Sequence, residues 1–71
     1  MMDEKIDISF INTSVDDLRS SLSCAETNGS RIFNSAVLQK AFDAVSRRGE
    51  KTKARLLQQY IKKAIKKERM A

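Results

Sequence analysis

Residues 30–49, SRIFNSAVLQKAFDAVSRRG, predict an amphipathic helix over residues 31–48 with a wide apolar side. At about 100° per residue, its apolar side chains fall in one continuous arc that covers roughly half of the circumference. A surface helix in so small a protein has a narrower stripe, so we expect this one to be covered from two sides. Ser30 is the expected N-cap, and Gly49 suits the left-handed residue just past the C-terminus. The arc consists of Phe33, Val37, Leu38, Ala41, Phe42, Ala44 and Val45.

Two more helices are predicted, over residues 14–26 and 51–69. Ser14, with Asp17 three residues later, approximates a capping box at the start of the first one, which should end at a turn containing Gly29. Thr52 is a candidate cap for the last helix. The apolar seam of the first helix is Val15, Leu18, Leu22 and Ala25, and the apolar face of the last helix is Leu56, Leu57, Tyr60, Ile61, Ala64 and Ile65.

The N-terminal segment KIDISFI, residues 5–11, alternates apolar and polar side chains, which is typical of a short strand. A competing helical pattern runs from Ile8 through Ile11 into the seam of the first helix. The good capping residues at 12–14 favour a strand, a turn and then a helix.

These elements predict a mainly α fold in one small domain, residues 1–71, with a short N-terminal strand and three helices. A chain of this length buries only about 60% of its unfolded surface, so small folds often add a disulfide, a metal or a partner chain. Cys24 is the single cysteine and histidine is absent, so we expect neither an internal disulfide nor a zinc site, and no cofactor. A partner chain is therefore the remaining way to stabilise so small a fold, and we expect a homodimer.

Catalysis and membrane insertion are both disfavoured by the sequence. Without histidine or a glycine-rich phosphate loop, and with carboxylates that suit helix caps, the chain is not expected to be an enzyme. No apolar run approaches the ~20 residues that cross a bilayer. The N-terminus MMDEKID does not have the features of a secretory signal, so a cytoplasmic location is expected.

The charge distribution is the main functional signal. Residues 1–30 carry a net charge of −4, whereas residues 31–71 hold twelve Lys or Arg against three acids, a net +9. Such polarity favours nucleic acid as a partner, because Lys and Arg neutralise phosphates and release counterions. A solvated helix face with a protein partner is the main alternative. An anionic membrane surface is disfavoured because the last helix lacks Trp and Phe. On the polar side of that helix, Lys51, Arg55, Lys62, Lys66 and Arg69 would form a basic row about 27 Å long, with Lys63 at its edge.

The order of strand, helix, glycine-containing turn and helix over residues 5–49 resembles the ribbon-helix-helix DNA-binding proteins. The segment from Asn34 to Phe42 is similar to the second-helix pattern of that family, and Asn28-Gly29 resembles its turn. The resemblance implies a homodimer in which two copies of residues 5–11 pair, with Ile6, Ile8 and Phe10 in the shared core. It also implies that Lys5, Asp7 and Ser9 face the major groove, and that backbone N–H groups near Ser30 and Arg31 bind a phosphate. The last helix has no counterpart in the minimal family.

The sequence therefore predicts a small DNA-binding protein of transcription regulation, with a ribbon-helix-helix-like dimer or a three-helix bundle as its fold. The alternative is a non-enzymatic helical adaptor or chaperone-like protein that holds a protein partner on its apolar faces. The candidate dimer contacts are Ile6, Ile8, Phe10, Phe33, Val37 and Phe42. The candidate nucleic-acid contacts are Lys5, Ser9, Ser30, Arg31, Arg47, Arg48, Lys51, Lys53, Arg55, Lys62, Lys63, Lys66 and Arg69.

Overall fold

The computed structural model describes residues 8–30 and 32–70. It contains three helices, α1 (Val15–Asn28), α2 (Ser35–Arg47) and α3 (Lys51–Met70), preceded by a 3₁₀ turn at Ser9–Ile11. The mainly helical fold and the number of helices are confirmed. None of the helices in the described ranges is long and apolar enough to cross a membrane.

Helix α1 has the N-cap and the C-terminal glycine that its sequence indicates. The Ser14 hydroxyl oxygen accepts a hydrogen bond from the backbone N–H of Asp17 at 3.2 Å. At the other end Gly29 adopts a left-handed conformation, φ 66°, and the next N–H, that of Ser30, bonds to the Ala25 carbonyl at 3.0 Å. This C-terminal arrangement satisfies carbonyls of the last turn. The helix extends two residues beyond the predicted 14–26.

Helix α2 begins four residues later than predicted, and its N-cap is Asn34 rather than Ser30. Asn34 has an extended backbone, and its side-chain oxygen accepts a hydrogen bond from the Val37 N–H at 3.0 Å. Ser30 instead closes the preceding turn, where its carbonyl accepts from Phe33 N–H at 3.0 Å. The prediction was wrong because both residues are good caps, and the choice depends on the turn that brings Phe33 into the core.

A tight turn joins α2 to α3. Gly49 is left-handed, φ 76°, and the Glu50 N–H reaches back to the Val45 carbonyl at 3.0 Å. Thr52 lies inside the first turn of α3 and is not its cap, since the helix already begins at Lys51. The far ends of the two helices meet where Ser35 contacts Glu68. Helices α2 and α3 therefore form an antiparallel hairpin.

Helix α1 packs along α3 and completes a three-helix bundle. Val15, at the start of α1, lies beside Lys51 at the start of α3. Near the other end, a Glu26 carboxylate oxygen is 3.9 Å from the Lys63 ammonium. The shared groove at one end and the Glu26–Lys63 pair near the other show that α1 runs in the same direction as α3.

The strand predicted over residues 5–11 is wrong where the structure describes it, and residues 5–7 lie outside the described residues. A strand would place Ile11 on the polar side with Ser9, yet Ile11 is 1% exposed. The 3₁₀ turn lets Ile8, Phe10 and Ile11 all pack against the bundle, which a period of two does not allow.

The described core is entirely apolar and draws on all three helices and the 3₁₀ turn. The wide arc of α2 is covered fully along its middle, where Leu38, Ala41 and Val45 have no exposed surface. On its flanks Val37, Phe42 and Ala44 remain half-buried. The buried set is Ile11, Leu18, Leu22, Ala25, Phe33, Leu38, Ala41, Val45, Leu56, Leu57, Tyr60, Ile61 and Ala64.

Candidate nucleic-acid interface

The solvent face of α3 carries a continuous row of cations. We call Lys51, Arg55, Lys62, Lys66 and Arg69 the basic ridge. All five residues are exposed. At 100° per residue they fall within an arc of about 60°, opposite the buried side that contains Leu57, Tyr60 and Ala64. The arc contains no acidic residue, because the one carboxylate of α3, Glu68, lies on the α2 side of the helix.

No ridge residue forms an ion pair with any other residue that the structure describes. Gln58 and Gln59, also exposed, fill the interval between Arg55 and Lys62 with neutral donors and acceptors. The positive charge of the ridge is therefore not neutralised by acids of the described fold.

Three of the other candidate cations form contacts within the chain, and of these three only Lys53 is largely buried. The Lys53 ammonium lies 2.9 Å from a Glu50 carboxylate oxygen and donates a 2.8 Å hydrogen bond to the Ile11 carbonyl. The side chain of Lys53 is 15% exposed, so it fastens the N-terminal turn to α3 rather than facing a ligand. Arg48 donates a 2.7 Å hydrogen bond to the Asn12 side chain, and Arg47 pairs with Asp43 at 3.2 Å.

Two lysines of α3 cover an aromatic pair instead of joining the ridge. Phe33 and Tyr60 meet edge to face, with ring centroids 6.4 Å apart. The Lys63 ammonium is 4.8 Å from the centroid of Tyr60, and that of Lys67 is 5.6 Å from the centroid of Phe33. Both distances are typical of cation–π contacts. We call Lys63 and Lys67 the aromatic flank of α3.

The N-terminus of α2 binds a carboxylate of the protein itself, that of Glu68. Glu68 accepts two 2.9 Å hydrogen bonds from Ser35, one from its backbone N–H and one from its hydroxyl. The bond from the backbone N–H, and to a smaller extent the bond from the hydroxyl, holds the pKa of the Glu68 carboxyl below its usual value. Ser30 is exposed in the turn before this helix end, and Arg31 lies outside the described residues. The helix end at which the sequence predicted a bound phosphate thus carries a carboxylate.

The candidate dimer contacts are distributed unevenly in the bundle. Phe33 is 9% exposed and packs on Tyr60 within the chain. The half-buried members are Ile8, Phe10, Val37 and Phe42; Ile6 lies outside the described residues, as does the candidate nucleic-acid contact Lys5. Ser9 is exposed in the 3₁₀ turn.

One cation near the ridge was missed by sequence reasoning. Arg19 of α1 lines an open groove of about 400 Å³ together with Lys51 and Arg55 of α3. Arg19 lies in the acidic first third of the chain, so the charge pattern of the sequence did not indicate it as a binding residue. The packing of α1 on α3 brings it close to the ridge. The remaining lining residues are Val15, Thr52, Leu56 and Gln59.

Among the described residues, no group of His, Cys, Asp and Glu side chains could hold a metal ion. No family model, curated protein or solved structure matches this chain.

Proposed function

We propose that this protein binds nucleic acid, with DNA as the preferred form, and acts as a small regulatory protein through the basic ridge of α3. The observation that carries the proposal is the row of exposed cations without ion pairs in the described fold. A folded protein ordinarily intersperses both signs of charge on its surface. A single-sign row favours a polyanionic partner.

The dimensions of the ridge fit a nucleic-acid backbone. From Lys51 to Arg69 the helix rises about 27 Å. Duplex DNA carries one negative charge per ~1.7 Å of helix axis when both strands are counted, and the winding backbones present only part of these phosphates to one side, so a ridge of this length can reach several phosphates. Side chains with several rotatable bonds adapt to such a spacing, and the contacts release counterions whichever bases are present.

The adaptor alternative requires an apolar surface for its protein partner. Among the described residues the large hydrophobic side chains that are exposed are Ile65, at 41%, and Met70, at 79%. Docking surfaces are usually contiguous patches of several hundred Å². These two side chains, together with half-buried apolar side chains that a different protein could cover as well as a second copy could, support the adaptor less well than five unpaired cations support nucleic-acid binding.

We further propose that the protein works as a homodimer that presents two basic ridges. The half-buried side chains Ile8, Phe10, Val37 and Phe42 are apolar surface that a second copy could cover. Sedimentation analysis should give twice the 8.1 kDa mass of the chain. A species of 8.1 kDa at all concentrations would reject the dimer and leave the ridge proposal standing.

The decisive experiment for the binding function is a salt titration with a duplex DNA oligonucleotide. If each of the five ridge cations neutralises a separate phosphate, log K should fall against log salt concentration with a slope of about −4.5, and the slope is shallower where two cations share one phosphate. RNA and single-stranded DNA of equal length, titrated in parallel, establish which form is preferred. Absence of binding at low ionic strength, or a slope near zero, would reject the function.

A further inference from the structure

The groove between α1 and α3 combines positive charge from two helices with a small apolar floor. Arg19 of α1 lines one side of the groove, and Lys51 and Arg55 of α3 line the other. All three are exposed, and none forms an ion pair with another described residue. The floor consists of Val15, which is half-buried, and Leu56, which is 8% exposed.

The polar groups around the groove suit an anion that accepts several hydrogen bonds. Thr52 contributes a hydroxyl and Gln59 an amide, and both line the same volume. Lys51 and Thr52 are the first two residues of α3, so the positive end of the helix dipole lies at this place. A guanidinium presents N–H donors in a fork that matches phosphate oxygens, so Arg19 and Arg55 supply geometry as well as charge.

Among the carboxylates near the groove, that of Glu50 is compensated by cations outside the groove. Glu50 lines the adjoining depression with Lys51 and Thr52. Its oxygens are 2.9 Å from the Lys53 ammonium and 3.9 Å from the Arg48 guanidinium. Within the described part of the chain, the groove itself is lined by three cations and by no carboxylate.

We infer that this groove is a phosphate-binding subsite in which Arg19, Lys51 and Arg55 hold one phosphate group. The inference deepens the proposed function and rests on it, because it makes that phosphate one of the nucleic-acid backbone. A row of cations on one helix can slide along a backbone. A phosphate held between two helices fixes the register and orientation of the protein on its ligand, as backbone contacts commonly do.

The test compares Arg19→Gln with Lys40→Gln, an equal loss of charge at an exposed position on α2. Because Lys51 and Arg55 still contact the same phosphate, Arg19→Gln should weaken duplex binding several-fold at 0.1 M salt and make the salt slope shallower by less than the ~0.9 expected for loss of a whole phosphate contact. Lys40→Gln should leave both close to wild type. Equal effects of the two variants, or no effect of Arg19→Gln, would overturn the subsite.

A second measurement separates failure of the groove from failure of the proposed function. Inorganic pyrophosphate is titrated into the wild-type protein while backbone amide resonances are followed by NMR. Shifts concentrated at Arg19, Thr52 and Gln59 support the subsite, even if duplex DNA does not bind and the phosphate comes from a free ligand. If duplex DNA binds with a steep salt slope, but Arg19→Gln does not change the affinity and these amide resonances do not shift, the phosphate-binding subsite is rejected. The proposal that the ridge binds nucleic acid is then retained.

Discussion

The carboxylate of Glu68, near the end of α3, accepts hydrogen bonds from both the backbone N–H and the hydroxyl of Ser35, the first residue of α2. The two residues are 33 positions apart, and their contact closes the open end of the α2–α3 hairpin. It satisfies an N–H that the helix itself leaves without a partner, and it places negative charge at the positive end of the α2 dipole. The last two turns of α3, which carry Lys66 and Arg69 of the ridge, are held to the bundle at this point.

This contact predicts an acid-sensitive contribution to stability. Because its folded-state pKa lies below the unfolded value, Glu68 stabilises the fold fully above the ordinary range of glutamate, and this contribution is lost as the pH falls through the lowered pKa. Glu68→Gln should therefore lower Tm near neutral pH and flatten the decline of Tm between about pH 7 and pH 3.

The control for this experiment is Asp43→Asn, which removes one carboxylate from an exposed pair with Arg47. Exposed pairs contribute little, so this variant should follow the wild-type pH profile of Tm by circular dichroism. If Glu68→Gln and the wild type have parallel profiles over the whole range, the closing role of Glu68 is wrong.

The start of α2 is tested by comparing two cap candidates. Asn34→Ala removes the acceptor of the Val37 N–H and should lower the free energy of unfolding by about 1 kcal/mol. Ser30→Ala, in the exposed turn, should change it by less than about 0.5 kcal/mol. Urea denaturation measures both; a larger loss for Ser30→Ala would place the helix start where the sequence alone suggested it.

The turn between α2 and α3 depends on the left-handed backbone of Gly49. A Cβ at this position would meet no atom within 4 Å, so the penalty of Gly49→Ala is conformational and not steric crowding. We expect a loss of about 1–2 kcal/mol in the free energy of unfolding. Gly49→Asn should lose less, because asparagine tolerates this region better. Equal losses for the two variants would argue against the backbone explanation.

Local patterns predicted most of the fold, and contacts distant in sequence account for what they missed. Helical periodicity, the Ser14 cap and the two left-handed glycines are all encoded within a few residues, so α1 and α3 lie within two residues of their expected bounds. The start of α2 and the 3₁₀ turn depend on distant partners. Lys53 holds the Ile11 carbonyl across 42 positions, and no local pattern contains that information.

For the candidate site, too, local sequence patterns predicted one part and contacts between distant residues decided the rest. The basic ridge follows from the helical period alone, because its five members share one side of a single helix. Which cations remain unpaired does not follow from the period: Lys53 is fastened inside the fold, whereas Arg19, from an acidic stretch, joins the groove beside the ridge. The Glu68 contact likewise could not be read from a sequence in which Ser35 lies so far away.

The most direct test of the account is a comparison of two lysine pairs on α3 that have the same spacing. Lys62→Gln/Lys66→Gln neutralises two ridge cations, and Lys63→Gln/Lys67→Gln neutralises the aromatic flank. Both variants lose two charges, so net charge alone cannot distinguish them; circular dichroism checks that helix content is retained. At 0.1 M salt the ridge variant should bind duplex DNA roughly 60-fold more weakly than wild type, with a salt slope shallower by about 1.8. The flank variant should stay within a few-fold of wild type, and equal weakening by the two pairs, or full affinity in the ridge variant, would contradict the account.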